Sequence, residues 1–257
     1  MTMTLGEMIA VFCAGLAAGG INTVVGSGTL ITFPVLLATG LPPVTATVSN
    51  ALGLIPGSIS GAICYRRELR GQGRRILRFG TGALLGGFTG AALLLALPAT
   101  AFERIVPVLV GLALVLVVLQ PRIGRAVRER RERTGRAARP DGGPLLSVGL
   151  TLASVYGGYF AAAQGIIYMS LMGMLLDENM QRLNAVKNVL AALVNTVAAV
   201  FFLFAADFHW TAVALLAVGS ALGGQLGARV GRRLSPAVLR GCIVVVGSVA
   251  IVQLVLR

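Results

Sequence analysis

LGEMIAVFCAGLAAGGINTVVGSGTLITFPVLLAT, residues 5–39, decides what kind of chain this is. An apolar run occupies 5–25, with Glu7 close to its start. Gly26-Ser27-Gly28 then breaks the run, and a second one follows over 28–39. A run of 18 or more apolar residues reads as a membrane span, whereas one of ten to fourteen is too short for a comfortable crossing. The opening therefore predicts a membrane segment interrupted by a glycine turn.

The same texture continues to the end. Further apolar segments run over 43–64, 79–97, 102–120, 145–163, 166–176, 183–206, 210–228 and 236–256. Segment 166–176 is again short and again follows a break, Gln164-Gly165. Of the 257 residues, 56% are hydrophobic and only 12% charged, and the latter share is about half that of a soluble domain. Mean hydropathy is +0.86. A soluble globule, a disordered chain and a collagen-like fibre are excluded. A membrane β-barrel would need dyad alternation with frequent turns, and these runs are continuous. The fold class is an all-α polytopic membrane protein.

Net charge is +13. In a soluble protein that excess would point to nucleic acid. Here the cations sit between apolar runs, as the positive-inside rule produces, and no nucleic-acid partner is expected. Of the 22 cations, 21 are Arg and one is Lys, Lys187. Cys13, Cys64 and Cys242 are scattered singly and His209 is the only histidine, so neither a metal site nor a disulfide framework is expected. No cofactor is expected either. Met1 to Gly20 lacks a basic leader region, so it reads as membrane segment rather than cleaved signal.

Residues 121–144 carry eight Arg, three acids, Pro121, Pro140 and Pro144. This basic stretch divides two similar halves, 1–120 and 145–257. An offset of 138 residues places Gly19-Gly20 on Gly157-Gly158, Asn50 on Asn188 and the short segment 28–39 on 166–177. Slightly smaller offsets align Gly86-Gly87 with Gly223-Gly224 and Arg104 with Arg240. The chain thus reads as two repeats of about five hydrophobic segments each, the first segment of each broken or re-entrant. Internal repeats of this kind mark secondary transporters.

Charge sets the orientation. Arg66, Arg67, Arg70, Arg74, Arg75 and Arg78 follow segment 43–64, so that loop is expected in the cytoplasm, as is the basic linker. In the second half the counterpart of that loop, Asp207 to His209, has no Arg or Lys, while Arg229, Arg232 and Arg233 fill the counterpart of an uncharged turn. The halves are therefore expected to be inverted, with an odd number of net crossings each. Five crossing segments satisfy this, and so does a re-entrant hairpin followed by three spans. Both termini are then expected outside the cytoplasm.

Two constellations can carry chemistry. The first is the pair of breaks, Gly26, Ser27, Gly28 and Thr29 in one half, Gln164 and Gly165 in the other. Irregular backbone at membrane depth is tolerated where protein or a water-filled cavity satisfies it. The helix start that follows offers N–H groups and a positive dipole end to an anion. The second is a polar face. Asn184, Lys187, Asn188, Ala191 and Asn195 recur at spacings of three and four and share one side of a helix. Ala46, Ser49, Asn50, Gly53 and Gly57 match it in the first half. A cation and three carboxamides are costly against lipid and should face inward. Lys187 is the cation expected beside a small oxyanion; the alternative is that it snorkels to the headgroups. No acid lies deep in a long segment, so no acidic proton relay is visible, and no nucleotide-binding phosphate loop or catalytic triad occurs. An enzyme is not expected.

The series Ala18-Gly19-Gly20-Ile21-Asn22-Thr23-Val24-Val25-Gly26-Ser27-Gly28, Phe33-Pro34-Val35-Leu36-Leu37 and Gly40-Leu41-Pro42-Pro43 resembles the opening motif of the sulfite exporter TauE/SafE family (toluene sulfonate uptake permease type). Ser49-Asn50, Gly57-Ser58 to Gly61, Asn184 to Lys187 and Asn195 continue the likeness, which covers nearly the whole chain. The resemblance implies a permease for small anions such as sulfite, sulfonates or sulfoacetate in the bacterial cytoplasmic membrane. It also implies coupling to an ion gradient, with proton or sodium as the coupling ion. Membrane lipids are the expected surroundings, and a homo-oligomer is compatible with the glycine-rich faces. The competing readings are a non-transporting scaffold for a sulfur-metabolism enzyme and a passive anion channel.

Overall fold

The computed structural model describes residues 3–134 and 142–230, with 241, 244, 245 and 248. Among the described residues the helices are α1 (Leu5–Val24), α2 (Thr29–Ala38), α3 (Pro43–Gly53), α4 (Ile55–Cys64), α5 (Gly73–Ala96), α6 (Ala99–Thr134), α7 (Gly143–Tyr159), α8 (Gln164–Leu175), α9 (Met180–Leu203) and α10 (Trp210–Val230). No strand occurs among the described residues. The expected last segment, 236–256, lies largely outside them, as does 135–141 of the basic stretch. The first part of that stretch, 121–134, continues α6 as helix.

Local chemistry explains the boundaries. Thr4 caps α1 reciprocally: its Oγ accepts from Glu7 N–H at 3.3 Å, and its own N–H donates to the Glu7 carboxylate at 2.7 Å. Asn179 caps α9 by accepting from Gln181 N–H at 2.8 Å. Pro43 opens α3, where its missing N–H is not needed. Pro56 ends the α3 ladder and separates α3 from α4. Taken as one span, α3–α4 joins five other stretches long and apolar enough to cross a membrane: α1, α5, Thr100–Leu119 of α6, α9 and α10. Leu77, Leu85, Val108 and Leu145 face outward, each about 70% exposed, which a bilayer accommodates.

Glycine contacts give the helix directions. Gly15 packs on Leu216 and Gly19 on Ser220, while Gly20 reaches Gly223 and Gly227. So α1 runs parallel to α10. Gly53 packs on Leu216 and Gly57 on Ser220, so α3–α4 also runs parallel to α10 and starts at the same end as α1. The four-residue connection 39–42 then requires α2 to bring the chain back: α1 and α2 form a hairpin that returns to its own end. The second half repeats this. Gly82 and Gly86 lie on Thr151 and Gly90 on Val155, so α7 runs parallel to α5. Gln72 donates to the Arg182 carbonyl at 3.1 Å, so α9 starts where α5 starts. Hence α8 is the return arm of a hairpin with α7. Because α4 leads into α5, the two hairpins enter from opposite ends.

These approaches need bare backbone. A Cβ on Gly158 would collide with the Gly87 carbonyl, and one on Gly90 would overlap the Val155 carbonyl and lie 2.7 Å from Tyr159 N. Gly90→Ala is expected to cost about 1–3 kcal/mol by overpacking, read as a lowered unfolding temperature in detergent. Gly6→Ala, with no neighbour within 4 Å of the added atom, should leave that temperature unchanged or raise it.

At the arginine-rich end the halves are tied together. Arg75 Nη1 lies 3.1 Å from Glu178 Oε2, and Arg182 Nε lies 3.0 Å from Glu178 Oε1. Burial pushes the Glu178 carboxyl up, but the Asn179 N–H, Arg75 and Arg182 outweigh it and hold the group below its ordinary value of 4.5. A depressed folded value means stabilisation that is present above about pH 4.5 and is lost as pH falls through the lower value. Glu178→Gln should therefore unfold earlier than wild type at pH 7, with the gap closing below pH ~4.

Candidate functional site

The two hairpin tips meet. Gly165 N–H donates to the Gly26 carbonyl at 3.0 Å, and a Cβ on either glycine would lie 2.5 Å from the other's Cα. The turns differ in construction. Gly26 makes the first at φ +88°, the left-handed region glycine enters freely. Ala161 and Ala163 make the second at φ +63° and +57°, where an L side chain costs about 1–2 kcal/mol. Such strain is kept where the surroundings enforce it, often at functional sites. The second turn thus occupies 160–163, just ahead of its expected place; Gln164 and Gly165 form the first turn of α8.

Beside the tips lies a small polar cavity. It is walled by Asn22, Gly26, Thr29, Ser58, Ala161, Gln164, Gly165, Lys187, Asn188, Ala191 and Asn195. Of the residues the sequence singled out, Gly26, Thr29, Gln164, Gly165, Lys187, Asn188 and Asn195 come together here. The open space is about 10 Å³, about what one water needs. The wall holds one cation and no carboxylate. Ser58 Oγ, and nearby Ser27 Oγ and Asn184 Oδ1, are buried and have no hydrogen-bond partner in the protein. Buried polar atoms are rarely left so.

Lys187 is 1% exposed and does not snorkel. Its Nζ donates to the carbonyls of Asn22 at 2.7 Å and Thr23 at 3.3 Å. Asn184 and Asn188 donate to the Thr23 carbonyl at 3.0 and 3.4 Å. Three side chains spaced along one face of α9 therefore satisfy the last carbonyls of α1. These are the orphan acceptors and negative dipole end that a cation stabilises. The interruption of α1 is thus compensated from the other half of the chain. Asn22 Oδ1 in turn accepts from Gly28 N–H at 3.3 Å across the turn.

The remaining expected residues stand around this centre rather than in its wall. Asn50 holds α2 to α3, accepting from Thr32 Oγ1 at 2.5 Å and donating to Thr29 Oγ1 at 3.2 Å. Gly28 lets the turn pack back on Ala18 of α1. Ser27 is buried within the turn, and Asn184 is used on α1 as described. Ser49 points elsewhere: its Oγ accepts from His209 N–H at 3.1 Å. Ser49 is turned away from the cavity, toward the segment between α9 and α10. On the second hairpin, Gln164 Nε2 donates to Tyr168 Oη at 2.6 Å, and Tyr168 Oη lies 2.6 Å from Ser154 Oγ. This locks α8 on α7. Asn22 and Ser58 are the polar wall residues that sequence reasoning left out. Asn22 was legible as a carboxamide four residues before the break, and Ser58 as a hydroxyl just after Pro56.

A separate groove of about 770 Å³ opens along α4 and α10 and carries Arg66, Arg67 and Arg229 at its mouth.

Helices of crossing length, an apolar exterior and a small polar cavity among them define a multi-pass helical membrane protein. The sequence model described as "Sulfite exporter TauE/SafE" matches residues 11–254, and the chain belongs to that family. Among its relatives, the probable membrane transporter protein YfcA of Escherichia coli K12 is 28% identical over 239 residues, covering 93% of this chain and 86% of the relative. A probable membrane transporter protein of Haemophilus influenzae Rd is 26% identical over 247 residues, 95% and 92% of the two chains. A third, ORF9 of a Sinorhizobium species, carries the same description at 26% identity over 243 residues, 95% and 90%. No solved structure matches the chain.

Proposed function

We propose that this protein is a secondary transporter, a permease that moves a small anion by alternating access across the bacterial cytoplasmic membrane. The observation that carries the proposal is the meeting of two returning hairpins, entered from opposite ends, at a cavity where Lys187 is the only charged wall residue among the described residues. Discontinuous helices placed so at a repeat interface are the usual substrate sites of transporters built from inverted repeats. The starts of α2 and α8 point their positive dipole ends at this centre, which favours an anion there, although Gly28 N–H and Gly165 N–H are already taken by Asn22 Oδ1 and the Gly26 carbonyl. Amides from Gln164, Asn188 and Asn195 and hydroxyls from Thr29 and Ser58 supply orienting donors. The family's name supports sulfite as cargo, and a sulfonate or a related organic acid offers the same oxyanion chemistry. The arginine-rich end, with Arg66, Arg67 and Arg229, faces the cytoplasm by the positive-inside rule, and the N-terminus is outside.

An oxyanion is larger than the one water the cavity accommodates, so loading requires the hairpin tips to part. Rocking of one repeat against the other, hinged where the tips touch, would open the cavity to each end in turn. The test is flux of sulfite and sulfoacetate into proteoliposomes. Saturable flux of either, absent from protein-free liposomes, is the expected result. No flux of any small sulfur oxyanion under any imposed gradient would refute it and favour a scaffold.

A further inference from the structure

Lys187 is the only charged side chain among the buried described residues, and it is the only lysine in a chain whose other 21 cations are arginine. Everywhere that a bare positive charge is enough, this chain uses Arg. A guanidinium stays charged at any accessible pH, whereas an ammonium can lose its proton. The one position that departs from the habit is the one sealed in the cavity wall.

The surroundings bear on what that proton does. The Lys187 ammonium rests on two neutral carbonyls of α1, Asn22 and Thr23, not on a carboxylate. The rest of the described cavity wall, contributed by α1, α2, α4, α8, α9 and the two hairpin turns, holds no acid and no titratable group. The titratable side chain on α8 is Tyr168, engaged by Gln164 and Ser154, and α7 carries Tyr156 and Tyr159. Beyond the wall, α9 and its approach carry Arg182 and Glu178 at the arginine-rich end, paired together with Arg75 of α5. On α1, Glu7 is bonded to Thr4 at the other end. Asp177 and, at the end of α4, Tyr65 also belong to the arginine-rich end. Glu7 and Glu103 stand in the first turns of their spans, and no described acid lies deeper in a span to relay protons. An ammonium buried at membrane depth with no carboxylate beside it is costly, and an anion beside it lowers that cost.

Building on the transporter reading above, we infer that Lys187 is the proton carrier, so that the anion and one proton travel together. With the cavity open to one side, Lys187 is protonated from water on that side and the anion settles against the ammonium. After the switch, the anion leaves and the ammonium returns its proton to water on the second side, becoming a neutral amine. The neutral carrier can then reorient without moving a charge. One proton and one anion cross per cycle, and nothing is oxidised or reduced. For a monoanion the cycle is electroneutral; for a dianion it carries one net negative charge. With an acidic exterior the cycle runs inward.

The test uses the intact protein in proteoliposomes loaded with a pH-reporting dye, with methanesulfonate as monoanion and sulfoacetate and sulfite as further probes. The expected result is uptake accompanied by one proton per anion. A gradient of one pH unit should drive about tenfold accumulation of methanesulfonate, since one unit is about 1.36 kcal/mol. Membrane potential and sodium should leave that accumulation unchanged. Lys187→Arg should abolish acid-driven accumulation; the wild-type stoichiometry decides the matter alone if that variant misfolds. Anion flux without proton movement, or flux that follows sodium, overturns this inference while leaving the transporter intact. Acid-driven accumulation retained in Lys187→Arg overturns it as well. No flux of any of the three probes overturns the transporter reading and this inference with it.

Discussion

Lys187→Ala is expected to lower the saturable anion flux at least about thirtyfold while the protein still folds. Removing one partner of a buried charged contact costs about 2–5 kcal/mol, and each 1.4 kcal/mol is tenfold. The variant loses both the charge facing the cavity and the group that satisfies the Asn22 carbonyl. The two losses separate by measurement. Unfolding temperature in detergent reports the lost contact with α1, on which Asn184 and Asn188 still act. Flux normalised to folded protein reports the lost charge. Unchanged flux with a lowered unfolding temperature would restrict Lys187 to holding α1.

Gly165→Ala should be nearly as damaging. Its added methyl would stand 2.5 Å from the Gly26 Cα and 3.1 Å from the Lys187 side chain, so the tips must separate or the lysine must move. Overpacking of this kind costs about 1–3 kcal/mol, and at the contact on which closure depends we expect flux to fall more than tenfold. Gly26→Ala adds about 1–2 kcal/mol for an L residue at φ +88°, so it should be the less stable of the two. A Gly165→Ala protein with wild-type flux would show that the tips need not touch during the cycle.

The helical membrane class was legible in the apolar runs, because burial in lipid demands length and continuity and both are written directly in the chain. The paired breaks were legible for the same reason: Gly26 and Gly28 interrupt a run that chemistry otherwise favours. The inward placement of Asn184, Lys187, Asn188 and Asn195 followed from their spacing, and all four are buried. What the residues could not reveal is pairing across the halves. Nothing local says that α9 side chains satisfy the carbonyls of α1, since that contact joins residues about 165 positions apart. Nor does an alanine announce a left-handed turn; Ala161 and Ala163 adopt it only because the packing around α7 and α8 requires it. Ser49 was misplaced because helical spacing fixes a face but not a depth. It shares a side with Asn50 and Gly57, yet its own level meets the loop at His209.

Counterflow tests the central claim most directly. Proteoliposomes preloaded with unlabelled sulfite or sulfoacetate are diluted into a trace of the labelled anion with no ion gradient imposed. A site that opens to one side at a time predicts transient accumulation of label inside, above its external concentration, that saturates with the preload and is lost in Lys187→Ala. Label that only equilibrates, at a rate indifferent to the preload, would mean an open pore and would contradict alternating access at the hairpin tips.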